Sequence, residues 1–169
     1  YQSLISLKEQ QLVQKVGISI YSPDELDLVL DKYEIDIVQA PFNVFDQRLV
    51  ETGWLKCLHN RGIEVHTRSA FLQGLLLMDT DNRPEKFNKW SPQWQSWHEW
   101  LVAHDLSPLS ACLGFVLSHS EINRVVVGVD SLTHLQEIMA GVLEPSVNIP
   151  KRFISDDLDL INPSRWSRL

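Results

Sequence analysis

Four short apolar segments, each ending in a polar residue and followed by a segment with helical periodicity, constrain the fold of this chain most strongly. They are Val16 to Ser19, Ile35 to Gln39, Ile63 to Arg68 and Val125 to Asp130. Strands that alternate with amphipathic helices are typical of a parallel α/β sheet. Because the carboxyl ends of parallel strands meet at one edge, the pattern predicts one shared rim that contains Ser19, Gln39, Arg68 and Asp130.

The number of βα units predicts an incomplete barrel. A complete TIM (β/α)8 barrel needs about 250 residues, or about 200 at the least, whereas this chain has 169 residues. We therefore predict an α/β fold that forms half of a TIM (β/α)8 barrel, with four parallel βα units. Residues 1–144 are assigned to the half-barrel and residues 145–169 to an extended C-terminal tail held by Trp166. Because the chain begins inside a predicted helix, we expect it to be a truncated fragment of a longer product.

Composition and charge argue against several classes of partner. The formal net charge is −7 with dispersed acidic residues, and the isoelectric point is about 5.3, which is not typical of a nucleic-acid-binding surface. No run approaches the roughly 18 apolar residues of a membrane span, and no secretory signal opens the chain. Cys57 and Cys112 lack redox or metal spacing, so we interpret them as reduced core thiols. We expect a cytoplasmic protein with no nucleic-acid or membrane partner.

The sequence contains none of several short motifs that carry catalysis or metal binding. It has no glycine-rich dinucleotide fingerprint, phosphate-binding P-loop, HExxH or GxSxG motif. Its six histidines show no metal-ligand spacing, so we predict no metal site. Asp36 and Glu64 lie near strand starts, where barrels of this kind carry stabilising residues, and we interpret both as helix-capping or solvated.

Three local patterns leave alternatives open. Gly128 to Ser131 closes a strand and opens a helix, so it is either a phosphate seat at a helix N-terminus or an ordinary βα connection. Trp94, Trp97 and Trp100 recur at helical spacing, which favours packing in the core over a platform for a sugar. The irregular stretch from Met78 to Trp90 is typical of a lid or a loop that shapes a substrate mouth.

Taken together, the segments at the strand ends resemble the aldo-keto reductase family. Val16 to Tyr21 is similar to the family's fifth strand, and Val38 to Asn43 is similar to its sixth. Arg68 to Leu76 resembles the seventh strand with its following loop, and Gly128 to Glu137 resembles the eighth strand with its helix. The resemblance runs from the first helix to Trp166 and is strongest for a bacterial branch. It implies the C-terminal half of the barrel, strands five to eight.

The resemblance also implies where a nicotinamide cofactor binds. Ser19 and Gln39 match the residues that bind the nicotinamide carboxamide, which needs both a donor and an acceptor to fix its ring face. Arg68 stands where the family usually has an aromatic residue under the nicotinamide, and a guanidinium plane can stack there too. The residues that match the loop around the pyrophosphate are Ser69, Phe71 and Gln73. The residues that match the segment around the adenosine phosphate are Gly128, Asp130, Ser131, His134 and Glu137.

Two departures from the family pattern affect the implied chemistry. Asp130 replaces a residue that is arginine in many relatives, and a carboxylate is a poor neighbour for a 2′-phosphate but a plausible acceptor for a ribose hydroxyl. The resemblance implies NADP, and Asp130 leaves the choice between NADP and NAD open. The family's catalytic tyrosine, lysine, aspartate and histidine belong to its first four strands. No catalytic residue is therefore assigned here, and Tyr1, Tyr21 and Tyr33 are not candidates.

Two hypotheses of function follow. In the first, the chain is the cofactor-binding half of an NAD(P)H-dependent oxidoreductase that reduces a carbonyl-containing small molecule to an alcohol. In the second, it is a non-catalytic half-barrel module that self-associates. In either case the unpaired outer strands predict a homodimer formed through exposed sheet edges. The coding sequence upstream of Tyr1 distinguishes the two, because the enzyme requires an Asp-Thr-Ala turn followed by tyrosine, lysine and a strand-end histidine.

Overall fold

Four parallel strands form one sheet in which spatial order equals chain order, β1-β2-β3-β4. The computed structural model describes residues 1–143 and 148–169. The strands are β1 Gly17–Ser19, β2 Ile37–Pro41, β3 Glu64–Arg68 and β4 Arg124–Val125. Ser19 lies opposite Gln39 in the register, and Pro41 lies opposite Arg68. The predicted α/β fold with four parallel βα units is therefore confirmed.

The connections between the strands are helical. The α-helices are α1 Gln2–Glu9, α2 Glu25–Leu30, α3 Arg48–Glu51, α4 Trp54–Asn60, α5 Ser91–Ala103, α6 Pro108–Leu117, α7 Leu132–Gly141 and α8 Leu158–Ile161. Short 3₁₀ helices cover Thr80–Asn82, Glu85–Trp90, Lys151–Phe153 and Pro163–Arg168. Between β2 and β3, Gly53 adopts φ 78° and separates α3 from α4. A left-handed residue ends a helix because it turns the backbone away from the helical path.

The tryptophans pack in the core, as their helical spacing favours. Trp94 and Trp97 of α5 are buried against Phe45, which follows β2, and Trp97 stacks on Trp100. The indole N–H of Trp97 donates to Leu76 O at 3.1 Å. This helix therefore fixes the far end of the loop that follows β3, in addition to burying aromatic surface.

Three segments differ from the sequence-based expectations. The fourth strand ends at Val125, although its apolar run continues to Val129, because it pairs with β3 alone among the described strands. The stretch from Met78 to Trp90 contains two 3₁₀ helices and buries Phe87 and Trp90. Residues 151–168 form short helical turns where we expected an extended tail, and the expected boundary at residues 144 and 145 lies outside the described residues.

The two carboxylates near the strand starts are partly exposed, in line with the solvated alternative, and both form ion pairs instead of capping a described helix. Asp36 accepts from Lys8 Nζ at 2.6 Å and from the backbone N–H of Val16 at 2.9 Å. The hydrogen bond from Lys8 lowers the pKa of Asp36. Glu64 pairs with Lys15, and His66 lies 3.2 Å from its other oxygen. These pairs attach the segment before β1 to the amino end of the sheet.

No single helix in residues 1–143 or 148–169 is long and apolar enough to cross a membrane. Glu85–Ala103 and Pro108–Leu117 reach the required length and composition only as a pair, and they are bent by 91°. Most residues of Pro108–Leu117 are buried in the core.

We predict that Gly17→Ala destabilises the protein. A Cβ at this position would lie 2.2 Å from Ile37 O of the neighbouring strand, so β1 and β2 would have to separate. Overpacking of this kind costs about 1–3 kcal/mol. Gly128→Ala is the control because its Cβ would meet nothing within 4 Å, and its effect should stay within about 0.5 kcal/mol. Urea unfolding followed by circular dichroism measures both, and equal stabilities would contradict the prediction.

Candidate functional site

Three polar side chains form a rim, defined here as Ser19, Gln39 and Arg68. Ser19 and Arg68 end β1 and β3, whereas Gln39 is the central residue of β2, because β2 continues to Pro41. The register places Ser19 beside Gln39, and Ser19 Oγ donates to Gln39 Oε1 at 3.3 Å. Ser19 is exposed and Gln39 is half-buried. A 3.3 Å hydrogen bond at an exposed position is weak, because ordinary O–H···O bonds measure 2.5–3.0 Å. Both side chains can therefore exchange this contact for one with a ligand.

Arg68 joins the end of β3 to the end of β1. Its Nη2 donates to Ile20 O at 3.0 Å, and its Nη1 donates to Ser69 Oγ at 3.4 Å. The guanidinium carbon lies 4.9 Å from the centre of the Tyr21 ring, which is a cation–π distance. Sequence reasoning missed Tyr21 as the partner of Arg68 because the two residues come from different strand ends.

Asn43 is a positioning residue that sequence reasoning did not select. Its side chain is fully buried. Its Oδ1 accepts from the backbone N–H groups of Phe45 and Asp46 at 2.9 Å each, and its Nδ2 donates to Ser69 O at 3.1 Å. The amide therefore links the loop after β2 to the loop after β3. An asparagine among apolar residues directly after a strand is a sequence signal for such a turn.

A buried ion pair supports the same loop. Asp46 is 1 % exposed, and its carboxylate accepts from Arg48 Nε and Nη2 at 2.8 Å each. Arg48 Nη2 also donates to Tyr21 O at 3.1 Å. Donation of these hydrogen bonds to Asp46 raises the pKa of Arg48, so this arginine stays charged. Through Arg48, the ion pair therefore links the loop after β2 to the residues that follow β1.

The loop after β3 has an unusual backbone. Ser69, Leu72 and Gln73 adopt φ values of 61°, 47° and 54°, and Gly74 adopts 88°. For residues other than glycine this conformation costs about 1–3 kcal/mol each, and it clusters at functional sites where surrounding contacts enforce it. Asn43 holds the start of this loop at Ser69, and Trp97 holds its end at Leu76.

A cleft of about 510 Å³ lies between this loop and the start of α7, and we call it the α7 cleft. It brings together seven of the eleven residues that the sequence selected: Ser69, Phe71, Gln73, Gly128, Asp130, His134 and Glu137. The rim residues do not line it. Ser131 does not line it either, because its Oγ caps α7 by accepting from His134 N at 3.1 Å. The rim and the α7 cleft meet where Arg68 contacts Ser69.

The polar lining of the α7 cleft is acidic. Asp130 and Glu137 are both exposed there, and none of the described lining residues is lysine or arginine. The N-terminus of α7 borders the cleft, and Ser131 already satisfies one of its free N–H groups. The arrangement offers hydroxyl, amide and carboxylate groups, which suit the hydroxyl groups of a ribose better than they suit a phosphate on that ribose.

No cluster of three or more metal-ligating side chains occurs in the part of the chain that the structure describes. Both cysteines are free thiols, and Cys112 is completely buried. Burial raises the pKa of Cys112, so it stays protonated and acts as a small apolar residue.

Comparison with known proteins agrees with this geometry. The model of the aldo/keto reductase family matches residues 1–146. L-galactose dehydrogenase from Arabidopsis thaliana is 26% identical over 171 residues, which cover 95% of this chain and 52% of that protein. The fold is similar to that of an aldo-keto reductase from Bacillus halodurans in its holo form, with a TM-score of 0.68 and 18% identity over 87% of this chain and 50% of that one. Glycerol dehydrogenase from Gluconobacter oxydans gives a TM-score of 0.66 and 19% identity over 95% of this chain and 53% of that one.

The chain spans about half the length of each of these relatives, so the likeness concerns one half of their barrel. The family match covers most of the chain, and the four-stranded parallel sheet has the corresponding fold. This chain therefore belongs to the aldo/keto reductase family.

Proposed function

We propose that this chain is the C-terminal, cofactor-binding half of an NAD(P)H-dependent aldo-keto oxidoreductase, equivalent to strands five to eight of the barrel in a bacterial branch of the family. The whole protein would reduce a carbonyl-containing small molecule to an alcohol, with its catalytic residues upstream of this chain. The observation that carries the proposal is the α7 cleft, which gathers seven of the residues selected from the sequence and adjoins the rim.

The rim supplies the groups that a nicotinamide needs. A carboxamide both donates and accepts hydrogen bonds, and the Ser19 hydroxyl and the Gln39 amide can do the same. Their mutual contact of 3.3 Å places the two groups side by side. Two fixed partners would orient the ring so that one face is turned towards a substrate. The bound cofactor would supply the hydride.

The loop after β3 and the start of α7 suit the remainder of a dinucleotide. The volume of about 510 Å³ lies within the range of roughly 300–1,000 Å³ that is usual for ligand sites. Ser69 and Gln73 would hold the pyrophosphate from the strained loop, and His134 and Glu137 would lie beside the adenosine. Because Asn43 and Trp97 fix this loop, the cleft is formed before a ligand arrives.

The carboxylates of the α7 cleft favour NADH over NADPH. A 2′-phosphate carries additional negative charge and would face Asp130 and Glu137 with no lysine or arginine among the described lining residues. A ribose 2′-hydroxyl can instead donate a hydrogen bond to either carboxylate. The resemblance implies NADP, so the electrostatics of this chain oppose the family expectation.

Gln39→Ala should weaken the binding of NADH and NADPH to the same extent, because the nicotinamide is common to both. Loss of one hydrogen-bonding group corresponds to a roughly two- to tenfold rise in Kd. Quenching of tryptophan fluorescence on titration with each nucleotide measures the change. Gln10→Ala, at an exposed position at the end of α1, is the matched control and should leave both Kd values unchanged. Unchanged affinity in Gln39→Ala would remove the rim from the proposed site.

Asp130→Arg should shift the preference towards NADPH. The substitution replaces a repulsive carboxylate by a guanidinium that can bind a phosphate, and we expect the ratio of Kd for NADPH to Kd for NADH to fall by roughly tenfold or more. The same fluorescence titration measures the ratio. Asp31→Arg makes the same charge change at an exposed position outside the cleft and should leave the ratio unaltered. An equal shift in both variants would mean that net charge, not the cleft, sets the preference.

The second candidate function, self-association of half-barrels, is favoured by the outer surfaces of the sheet. Among the described strands β1 pairs only with β2, and β4 pairs only with β3, so each leaves one edge open. On α7 the side chains of Leu132 and Met139 are 70% and 60% exposed. Open strand edges and exposed apolar side chains are each typical of surfaces that pair with another chain.

We therefore expect the 169-residue chain to form a homodimer of about 39 kDa, twice its 19.5 kDa mass. Light scattering coupled to size-exclusion chromatography measures the mass across a range of concentrations. Met139→Glu should shift the equilibrium towards the monomer, because a charge would be buried in the interface. Leu28→Glu, at a position 69% exposed on α2, is the control and should remain dimeric. A monodisperse monomer of the unchanged chain would contradict the expectation.

A further inference from the structure

Arg83 is a buried cation with no carboxylate partner in the described part of the chain. It is 7% exposed and makes no ion pair within 4.0 Å. Its guanidinium carbon lies 4.2 Å from the centre of the Trp94 ring, so the aromatic face covers one side of the charge. Burying an arginine without a counter-ion is costly, and such residues are normally paired.

The five N–H donors of Arg83 are incompletely used. Nη2 donates to Met78 O at 2.8 Å and to His98 Nε2 at 3.1 Å. Nε is buried and has no partner among the described residues. Nη1 makes no hydrogen bond with the described residues and is not among their buried unpartnered atoms, so it is accessible from outside. The guanidinium therefore presents free donors on its Nη1 side.

His98 contacts Arg83 and adds no second positive charge beside it. Burial, together with the charge of Arg83, lowers the pKa of His98, so the imidazole is neutral at pH 7. In that state Nε2 can accept the hydrogen bond from Arg83 Nη2. Burial also lowers the pKa of Arg83, and the charge of Asp79 opposes this only in part.

A second cleft, of about 270 Å³, opens onto this arginine, and we call it the Arg83 cleft. It is lined by the following residues: Thr80, Arg83, Asn88, Ser91, Trp94, Gln95, His98 and Glu99. Thr80 and Asn88 carry hydroxyl and amide groups that can donate hydrogen bonds, whereas the Ser91 hydroxyl already donates to Asn88 O at 2.5 Å. None of the residues that line it belongs to the rim or to the α7 cleft.

Two carboxylates near the Arg83 cleft do not fill the role of counter-ion. Glu99 lines the cleft, but its Oε1 accepts from Gln95 Nε2 at 2.8 Å on the exposed side of α5. Asp79 raises the pKa of Arg83 through space without reaching ion-pair distance. Both leave the free donors of the guanidinium without an acceptor.

We propose that the Arg83 cleft binds a small oxyanion, a phosphate or carboxylate group, held by Arg83 Nη1 with donors from Thr80 and Asn88. An oxyanion supplies the missing negative charge and several acceptors in one group. The planar guanidinium suits such a group better than a lysine would. This site is independent of the proposed dinucleotide site, because it uses different residues and a different cleft.

Nuclear magnetic resonance of the arginine Nε–H groups tests the site directly. Sodium phosphate and sodium acetate are titrated separately into the full 169-residue chain at constant ionic strength, with sodium chloride as the compensating salt. We expect the Arg83 Nε–H signal to shift and saturate at roughly millimolar concentration or below with one of the two probes. Tighter binding of phosphate assigns a phosphate group, and tighter binding of acetate assigns a carboxylate. No saturable shift with either probe overturns the proposal.

Substitutions separate the site from general attraction of anions. Arg83→Met keeps an apolar stem over Trp94 and should weaken binding, measured by calorimetry, at least tenfold. Arg61→Met is the matched control, because Arg61 also lies over a tryptophan, 5.9 Å from the Trp54 ring, but at an exposed position. Asn88→Ala at the exposed mouth should weaken binding roughly threefold and provides a readout if Arg83→Met does not fold. If Arg83→Met or Asn88→Ala binds the anion as tightly as the unchanged chain does, the proposal is overturned.

Discussion

The buried amide of Asn43 is the interaction on which the geometry of the candidate site depends. It satisfies two backbone N–H groups of the loop after β2 and one carbonyl of the loop after β3. If either loop moved alone, these groups would lose their partners away from water, at a cost of about 1–3 kcal/mol for each group. The rim and the α7 cleft beyond it are therefore held in one arrangement, although they come from separate βα units.

The strand order and the position of the rim could be predicted because they follow from hydrophobic periodicity, which is local in sequence. Periodicity does not report pairing, so it extended β4 to the end of an apolar run, whereas the strand is Arg124–Val125 and the last described backbone bond to β3 is from Val126 N to Thr67 O at 2.7 Å. The turns of the C-terminal segment have a different cause. Asp157 Oδ1 accepts from Asp159 N at 3.0 Å, and Asn162 Oδ1 accepts from Ser164 N at 3.1 Å. These helix-capping side chains were visible in the sequence, and the assignment of an extended tail overlooked them.

The residues of the candidate site could be selected from the sequence, whereas the residues that hold them in place could not. The resemblance selected residues in two distant segments, and the structure brings most of them to one cleft. The partners that fix them are long-range: Tyr21 beside Arg68, Trp97 at Leu76, and Asn43 at Ser69. Two of these contacts join different βα units, and Trp97 and Leu76 lie 21 residues apart within one unit, so no local pattern could show any of them. The interpretation of the tryptophans as packing residues succeeded because burial of a large ring needs only the helical spacing that the sequence displays.

The loop after β3 lies between two clefts of opposite electrostatic character. Its first half, from Ser69 to Gly74, lines the acidic α7 cleft, and the carbonyl of Met78 just beyond its end accepts from Arg83 in the other cleft. Trp97 holds Leu76 between them. The left-handed residues Ser69, Leu72 and Gln73 can persist only while both ends are fixed, since each would relax in a free loop. An anion that neutralised Arg83 would reduce the cost of burying the guanidinium that holds Met78. The stability of the loop after β3 therefore depends on the charge of Arg83, although Arg83 lies outside the α7 cleft that this loop lines.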